Sequence, residues 1–201
     1  MYRSQILRGS GDGRCGVENM MKEIQADLFR YTGKDKRSRI KDWFLRSPEL
    51  KYMILFRKAQ GKKGHRILYQ YYKWRLFVMS RKTLIQIPPE VTIGRGFYIG
   101  HTGPVIINPR VKIGQNCNIA TGVTIGQENR GVRKGTPVIG NKVWIGTNAV
   151  IVGNIRIGND VLIAPNAYVN TDIPDHSIVI GNPAKIIPKE NAVQGYINYC
   201  V

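Results

Sequence analysis

The 201-residue sequence predicts a mainly β protein, a parallel β-helix preceded by a small basic α-helical domain. Three observations carry this expectation. Isoleucine recurs every six residues through the second half, apolar residues before residue 86 recur at helical spacing, and most of the net charge of +18 sits in that first part.

The six-residue period is the strongest of the three. Ile87, Ile93 and Ile99 are six apart, and after a longer step so are Ile107, Ile113, Ile119 and Ile125. After a second, much longer step the period resumes at Ile139 and runs through Ile145, Ile151, Ile157 and Ile163 to Val169. Four places after most of these leads stands another small or apolar residue, such as Val91, Phe97, Cys117, Ala149 or Ile173, and glycine often follows the lead directly, as in Ile93-Gly94 and Ile145-Gly146. One apolar residue in six, with Gly, Asn or Asp between, suits a short strand and turn stacked on like neighbours. Residues 87–188 are assigned to this solenoid and 189–201 to a C-terminal tail.

Ahead of it, Ile24, Leu28 and Tyr31 mark one helix stopped by Gly33, and Ser47-Pro48-Glu49 opens a second, through Leu50, Ile54 and Arg57, that ends at Gly61. A third, from about Arg66 to Arg81, mixes Ile67, Leu68, Tyr71, Tyr72, Leu76 and Met79 with Lys and Arg. Residues 21–86 read as a basic helical domain, and residues 1–20, rich in Gly, Arg and Ser without periodicity, as a flexible leader.

Composition excludes several classes. Hydrophobic residues at 42% and charged residues at 22% describe a folding chain, not a disordered one. No apolar run is long enough to span a bilayer, and the N-terminus lacks the apolar core of a secretory signal. Three scattered cysteines, Cys15, Cys117 and Cys200, form neither a disulfide framework nor a CxxC pair, so the expected compartment is a reducing cytoplasm. Three isolated histidines and unclustered carboxylates lack ligand spacing, so no metal is expected.

The Ile-Gly-x-x-x-x tandems resemble the hexapeptide-repeat acyltransferases, and the resemblance implies a left-handed β-helix with three hexads per coil, slightly over four coils here. Within that superfamily, a helical N-terminal domain, Ile93-Gly94-Arg95-Gly96, Gly100-His101-Thr102-Gly103, a loop and Gly181-Asn182-Pro183-Ala184-Lys185 are similar to the serine acetyltransferases and the related O-acetyltransferases of surface-polysaccharide assembly. His101 matches the family's general base. It also stands where the six-residue step lengthens to eight. His65 reads as a turn residue and His176 as a structural one. The chain departs from serine acetyltransferases at three places: Gly100 replaces an aspartate, Thr136 a second histidine, and Gln86 the aspartate that orients the base. Gln86 is kept as the partner of His101 through its amide oxygen, and Gly100 and Thr136 as acceptor-side positions.

The resemblance further implies acetyl-CoA as co-substrate. Candidate coenzyme contacts are Gly146, Thr147, Ala164, Pro183 and Lys185, the lysine beside the nucleotide phosphates. Trp144 has two readings, a wall along the coenzyme or a contact between subunits. The loop from Gly126 to Pro137 carries Arg130, Arg133 and Lys134, read as an arm reaching a neighbouring subunit's acceptor site. The family implies a homotrimer, with a hexamer as the open alternative.

The leading functional expectation is an acetyl-CoA-dependent O-acetyltransferase acting on a sugar or polysaccharide-precursor hydroxyl, in capsule or exopolysaccharide assembly, by a ternary complex. Serine O-acetylation for cysteine synthesis is the alternative, and a non-catalytic basic scaffold the third reading. Nucleic acid is not expected as a partner, because no reader motif accompanies the charge. The aromatic and basic makeup of Leu68–Met79 leaves peripheral contact with an anionic membrane, at its inner face, as a further expectation.

Overall fold

The computed structural model describes residues 12–33 and 47–201. Three helices, α1 (Asp12–Thr32), α2 (Pro48–Gly61) and α3 (Arg66–Thr83), precede the strands. From Ile85 the chain winds as a left-handed parallel β-helix with three flat faces. The first face stacks Ile85–Gln86, Val105–Ile107, Thr124–Gly126, Val150–Val152 and Tyr168–Val169. The second stacks Thr92–Ile93, Lys112–Ile113, Val138–Ile139 and Arg156–Ile157, and the third Tyr98–Ile99, Asn118–Ile119, Val143–Ile145, Val161–Ile163 and Ser177–Ile180.

The hexad leads are the interior of this prism. Ile93, Ile113, Ile139 and Ile157 pair rung to rung on the second face, and Ile99, Ile119, Ile145 and Ile163 on the third. Ile107, Ile125, Ile151 and Val169 do so on the first, and all twelve are buried. Each fully buried isoleucine contributes about 1.5–3 kcal/mol. The five rungs of the first face are those the hexads indicate, and the solenoid outlasts them only on its second and third faces. Ile85, beside Val105, belongs to the coil that the Ile87 lead opens, while Ile173, bridged to Ile157, follows Val169 after only four residues and, with Ser177–Ile180, closes the last coil.

The helical domain is riveted to the first coil by buried polar groups. Tyr52 Oη donates to Ile87 O (3.1 Å) and accepts from Ile87 N (3.0 Å), and Tyr31 Oη does the same with Ile99 (3.1 and 2.9 Å). Burial pushes the Tyr52 phenol up to about 12 and holds that of Tyr31 well above its usual value, so both stay protonated and able to donate. Arg57, wholly buried, donates to Ile93 O and Gly94 O at 2.6 Å each and to Asp27 Oδ2 at 2.8 Å; Asp27 Oδ1 in turn accepts from Phe97 N at 2.9 Å. Arg57 thus sits in the apolar register of its helix because it is fully satisfied there, by carbonyls and by a buried carboxylate. In α2, Ser47 caps the N-terminus by accepting from Leu50 N (3.4 Å), with Pro48 and Glu49 in the first turn.

Two segments differ from expectation. Helix α1 begins at Asp12, inside the stretch read as a leader; residues 1–11 lie outside the described residues. Glycines at 13 and 16 hide the helical pattern, yet Met20 is buried and fills the space over Gly61 so closely that a Cβ there would lie 2.6 Å from its sulfur. The C-terminal tail is a cover for the third face. After Lys185–Pro188 pairs antiparallel with Ser177–Ile180, the chain returns across the prism. Ala192 and Val193 bury against Leu162, and the Tyr196 ring lies 4.9 Å from that of Trp144. Asn118 Nδ2 donates to Tyr196 O (3.1 Å), Asn116 Nδ2 to Val201 O (2.8 Å), and Val201 N donates back to Asn116 Oδ1 (2.9 Å).

The tail's return is clasped by His176, whose Nδ1 lies 2.8 Å from Asp160 Oδ2 and 3.3 Å from Glu190 Oε2. Asp160 also accepts from Ala192 N (3.1 Å) and Val193 N (3.2 Å). The hydrogen bond to Asp160 raises the imidazole pKa above its usual value, so the clasp is fully formed below the free-histidine pKa and is lost as pH rises through the raised one. His176 has φ +55°, a conformation asparagine tolerates. The difference in melting temperature between the wild type and His176→Asn should be widest near about pH 5.5 and close by about pH 8.5, as followed by circular dichroism.

Candidate active site

Counting hexads in threes places every third turn on one edge of the prism, where the third face gives way to the first. Successive coils contribute Gly100-His101-Thr102-Gly103, Ala120-Thr121-Gly122, Gly146-Thr147-Asn148, Ala164-Pro165-Asn166 and Gly181-Asn182-Pro183. Backbone hydrogen bonds hold the stack: Gly100 N to Ile119 O (3.0 Å), Ala120 N to Ile145 O (2.9 Å), Gly146 N to Ile163 O and Ala164 N to Val179 O (2.8 Å each). Asn148 N donates to Thr121 O (3.0 Å) and Asn166 N to Thr147 O (2.9 Å). At about 4.8 Å per coil, the edge runs roughly 19 Å from His101 to Pro183.

His101 heads this edge, exposed to solvent. The two residues that lengthen its step form a turn pinned from both sides. Gly103 N donates to Thr83 O at the end of α3 (2.9 Å), and Pro104 O accepts from Gly122 N (2.6 Å) in the next coil. Gly103 has φ +138°, and a Cβ there would run into the Thr121 hydroxyl, leaving no room for a side chain. The imidazole is therefore carried on a short turn fixed to a helix terminus and to the β-helix, as a reacting group requires.

Of the residues singled out in the sequence, His101, Gly100, Gly146, Thr147, Ala164 and Pro183 share this edge. Gln86 faces outward on the adjoining first face, paired with Ile106, and Lys185 lies just past the edge on an exposed strand. Trp144 is elsewhere: it is on the third face, under Tyr196 of the returning tail, so its ring packs within the chain. Its hexad position shows only that it points outward, and the covering segment is fifty residues away in sequence.

The loop is also elsewhere. It springs from the opposite edge of the first face and folds as a hairpin closed by paired Glu128 and Gly135 backbone bonds (3.0 Å each). Arg133 donates to Asn170 O through its side chain and accepts from Asn154 N (2.8 Å) through its carbonyl, so it anchors the hairpin along that edge. Thr136 Oγ1 lies 3.5 Å from Arg110 O, while Arg130 and Lys134 remain exposed. Within one chain the whole first face separates these residues from His101.

Thr121, directly beneath the His101 turn, escaped the sequence analysis. It was legible: His101, Thr121 and Thr147 all stand two residues after the lead of every third hexad. Cys117 is buried and burial pushes its thiol up to about 12, which removes it as a nucleophile. Among the described residues no group of three or more His, Cys, Asp or Glu side chains could hold a metal ion.

Comparison with known proteins agrees with this architecture. Residues 136–171 match the family model described as bacterial transferase hexapeptide (six repeats). A serine acetyltransferase of Helicobacter pylori is 33% identical over 146 residues, covering 69% of this chain and 85% of that protein. The chain belongs to the serine acetyltransferase-like hexapeptide-repeat acyltransferases. Among solved structures, serine acetyltransferase of Neisseria gonorrhoeae in complex with serine superposes with a TM-score of 0.68 at 28% identity, over 87% of this chain and 72% of that one. The Brucella abortus enzyme in complex with coenzyme A gives 0.67 at 27%, over 87% and 68%. Other relatives are longer: this chain spans 61% of a Bacillus pumilus serine acetyltransferase to which it is 34% identical over 132 residues.

The two edge glycines differ in what they permit. A Cβ on Gly146 would meet Pro165 N at 2.6 Å, so the close stacking there excludes a side chain, whereas at Gly100 the nearest atom, Ile119 O, is 3.8 Å away. Gly146→Ala should cost about 1–3 kcal/mol in urea unfolding, and Gly100→Ala should stay within about 0.5 kcal/mol of the wild type.

Proposed function

We propose that the protein transfers an acetyl group from acetyl-CoA to a hydroxyl, with His101 as general base. The observation that carries this reading is the exposed imidazole fixed at the head of an edge whose turns each open on Gly or Ala, in a chain of this family. The coenzyme A bound by the Brucella protein supports the same donor here. An elongated donor fits such an edge: small residues let the pantetheine arm lie against the backbone, and Lys185 lies towards the far end for the phosphates.

The chemistry follows from these positions. Nε2 or Nδ1 of neutral His101 takes the proton of the acceptor hydroxyl as its oxygen adds to the thioester carbonyl. The tetrahedral intermediate collapses, expelling the coenzyme thiolate, which takes up the acceptor's proton from the imidazolium. No acyl-enzyme is needed. Gln86, on the neighbouring rung, is the proposed orienting partner.

The finer question is the acceptor. The relatives' names, and the serine bound in the Neisseria protein, favour L-serine, the alternative weighed from sequence, over a sugar hydroxyl. We take serine as the leading acceptor. The sugar reading keeps one specific support: Gly100, Thr136 and Gln86 stand where polar partners occur in the family, and an amino acid carrying two charges needs such partners. The open space at Gly100 shows that the fold does not impose the loss.

The proposed assembly is a homotrimer. The hairpin and His101 lie at opposite edges of the same face, so only a neighbouring copy can bring Arg130 and Lys134 to an acceptor beside His101. Exposed Ile106 and part-exposed Val150 and Tyr168 on the intervening face suit that contact.

His101→Ala should lower kcat by about two to four orders of magnitude while melting temperature and coenzyme affinity stay unchanged; a loss of less than about tenfold would remove histidine from the role. Assayed side by side, L-serine should be acetylated and nucleotide- or lipid-linked sugars should not, and Gly100→Asp should lower KM for serine. Turnover of the sugars alone would favour the second reading. Light scattering should give the mass of three chains.

A further inference from the structure

Helix α3 has a face that nothing in the described chain covers. Its inward side, with Leu76, Tyr72, Met79 and Thr83, packs on the core. On the opposite side Ile67, Tyr71, Trp74 and Phe77, spaced by four, three and three residues, form one stripe, and they are 76%, 45%, 59% and 59% exposed. Four large apolar side chains aligned in water on one helix mark a contact surface.

Charge says what the contact is. The helix contains no Asp or Glu, and Arg66, Lys73, Arg75, Arg81 and Lys82 flank or end the stripe, with Lys62 and Lys63 in the turn before it. Two of these cations lie over rings of the stripe itself, Arg75 over Tyr71 at 5.8 Å and Arg81 over Phe77 at 5.5 Å. The neighbouring acid is Glu90, engaged by Tyr69 Oη (2.9 Å) and Lys73 Nζ (3.3 Å) on the flank. A second copy of this helix would set cations against cations with no carboxylate on either to pair them. An anionic lipid surface supplies the missing charge, and its headgroup zone suits indole and tyrosine rings, with the Lys and Arg stems reaching outward.

We propose that this face of α3 docks the protein peripherally on an anionic phospholipid surface. The stripe enters the headgroup boundary and the flanking cations pair with lipid phosphates. The docking is in-plane, since no helix of the described residues is long and apolar enough to cross a membrane. The stripe lies on the outward side of α3, which meets the His101 turn only through the backbone carbonyl of Thr83, so docking and acetyl transfer are separable properties.

The test is sedimentation of the full chain with vesicles of phosphatidylcholine alone or with about 30% phosphatidylglycerol. The wild type should pellet with the anionic vesicles and stay in solution with the neutral ones. Two double variants, Trp74→Asp with Phe77→Asp and Arg81→Glu with Lys82→Glu, should each weaken partitioning about fivefold or more, with wild-type circular dichroism and acetyl transfer to a soluble acceptor. In the wild type, brominated acyl chains should quench tryptophan fluorescence, and Trp74→Phe should lose that quenching. The proposal falls if the wild type does not pellet with anionic vesicles. It falls equally if the charge variant loses binding while the aromatic variant keeps all of it, or if the aromatic variant halves the particle mass without lipid, which would make a second copy the occupant.

Discussion

Everything in this molecule depends on how closely one coil can lie on the next. At the edge between the second and third faces the chain turns on Gly94, Gly114, Gly140 and Gly158, and a Cβ on any of them would lie within 2.3 to 2.7 Å of the coil beyond. That spacing is what allows the strand hydrogen bonds to form at every rung and the isoleucines to fill the interior without gaps. A prism built this way is stiff along its axis, because no rung can shift without breaking the packing of both neighbours. The helical domain adds a lid to the first coil through Arg57, Tyr31 and Tyr52, each of which takes up backbone groups that an unstacked end rung leaves open.

The proposed site lies where this regularity is interrupted. The first turn of the edge that carries His101 is two residues longer than its counterparts, and the extra length is consumed in docking on Thr83 O and over Thr121. The outcome is a histidine projecting from a backbone that is held at both ends, at the start of a column of turns that each open on Gly or Ala. The hairpin at the opposite edge interrupts the period once more, and it too is tied down, by Arg133 and by its own backbone pair. Rigid coils thus set the distance between the two interruptions within one chain.

How much of this was legible follows from how far each contact reaches. The rungs were legible because the period repeats the same local requirement a dozen times, and α2 because its cap residues lie next to its first turn. Position in the coil was legible too: counting from the hexad leads puts His101, Thr147 and Thr121 on one edge, although Thr121 was passed over. The buried role of Arg57, the packing of Met20 and the covering of Trp144 by Tyr196 were not, since each rests on a partner with no periodic relation to it. The acceptor is of the same kind. Gly100, Gln86 and Thr136 record which polar groups are missing, while the relatives' names point to serine; residue type alone cannot balance a lost countercharge against one supplied from another copy.

The most direct measurement of the central claim is a crystal structure with coenzyme A bound. The pantetheine arm should follow the edge from Pro183 past Thr147 and bring its sulfur to the His101 imidazole, within about 4 Å or one intervening acceptor hydroxyl. Coenzyme density on another edge, or an imidazole turned away from the thiol in every copy of the assembly, would contradict it.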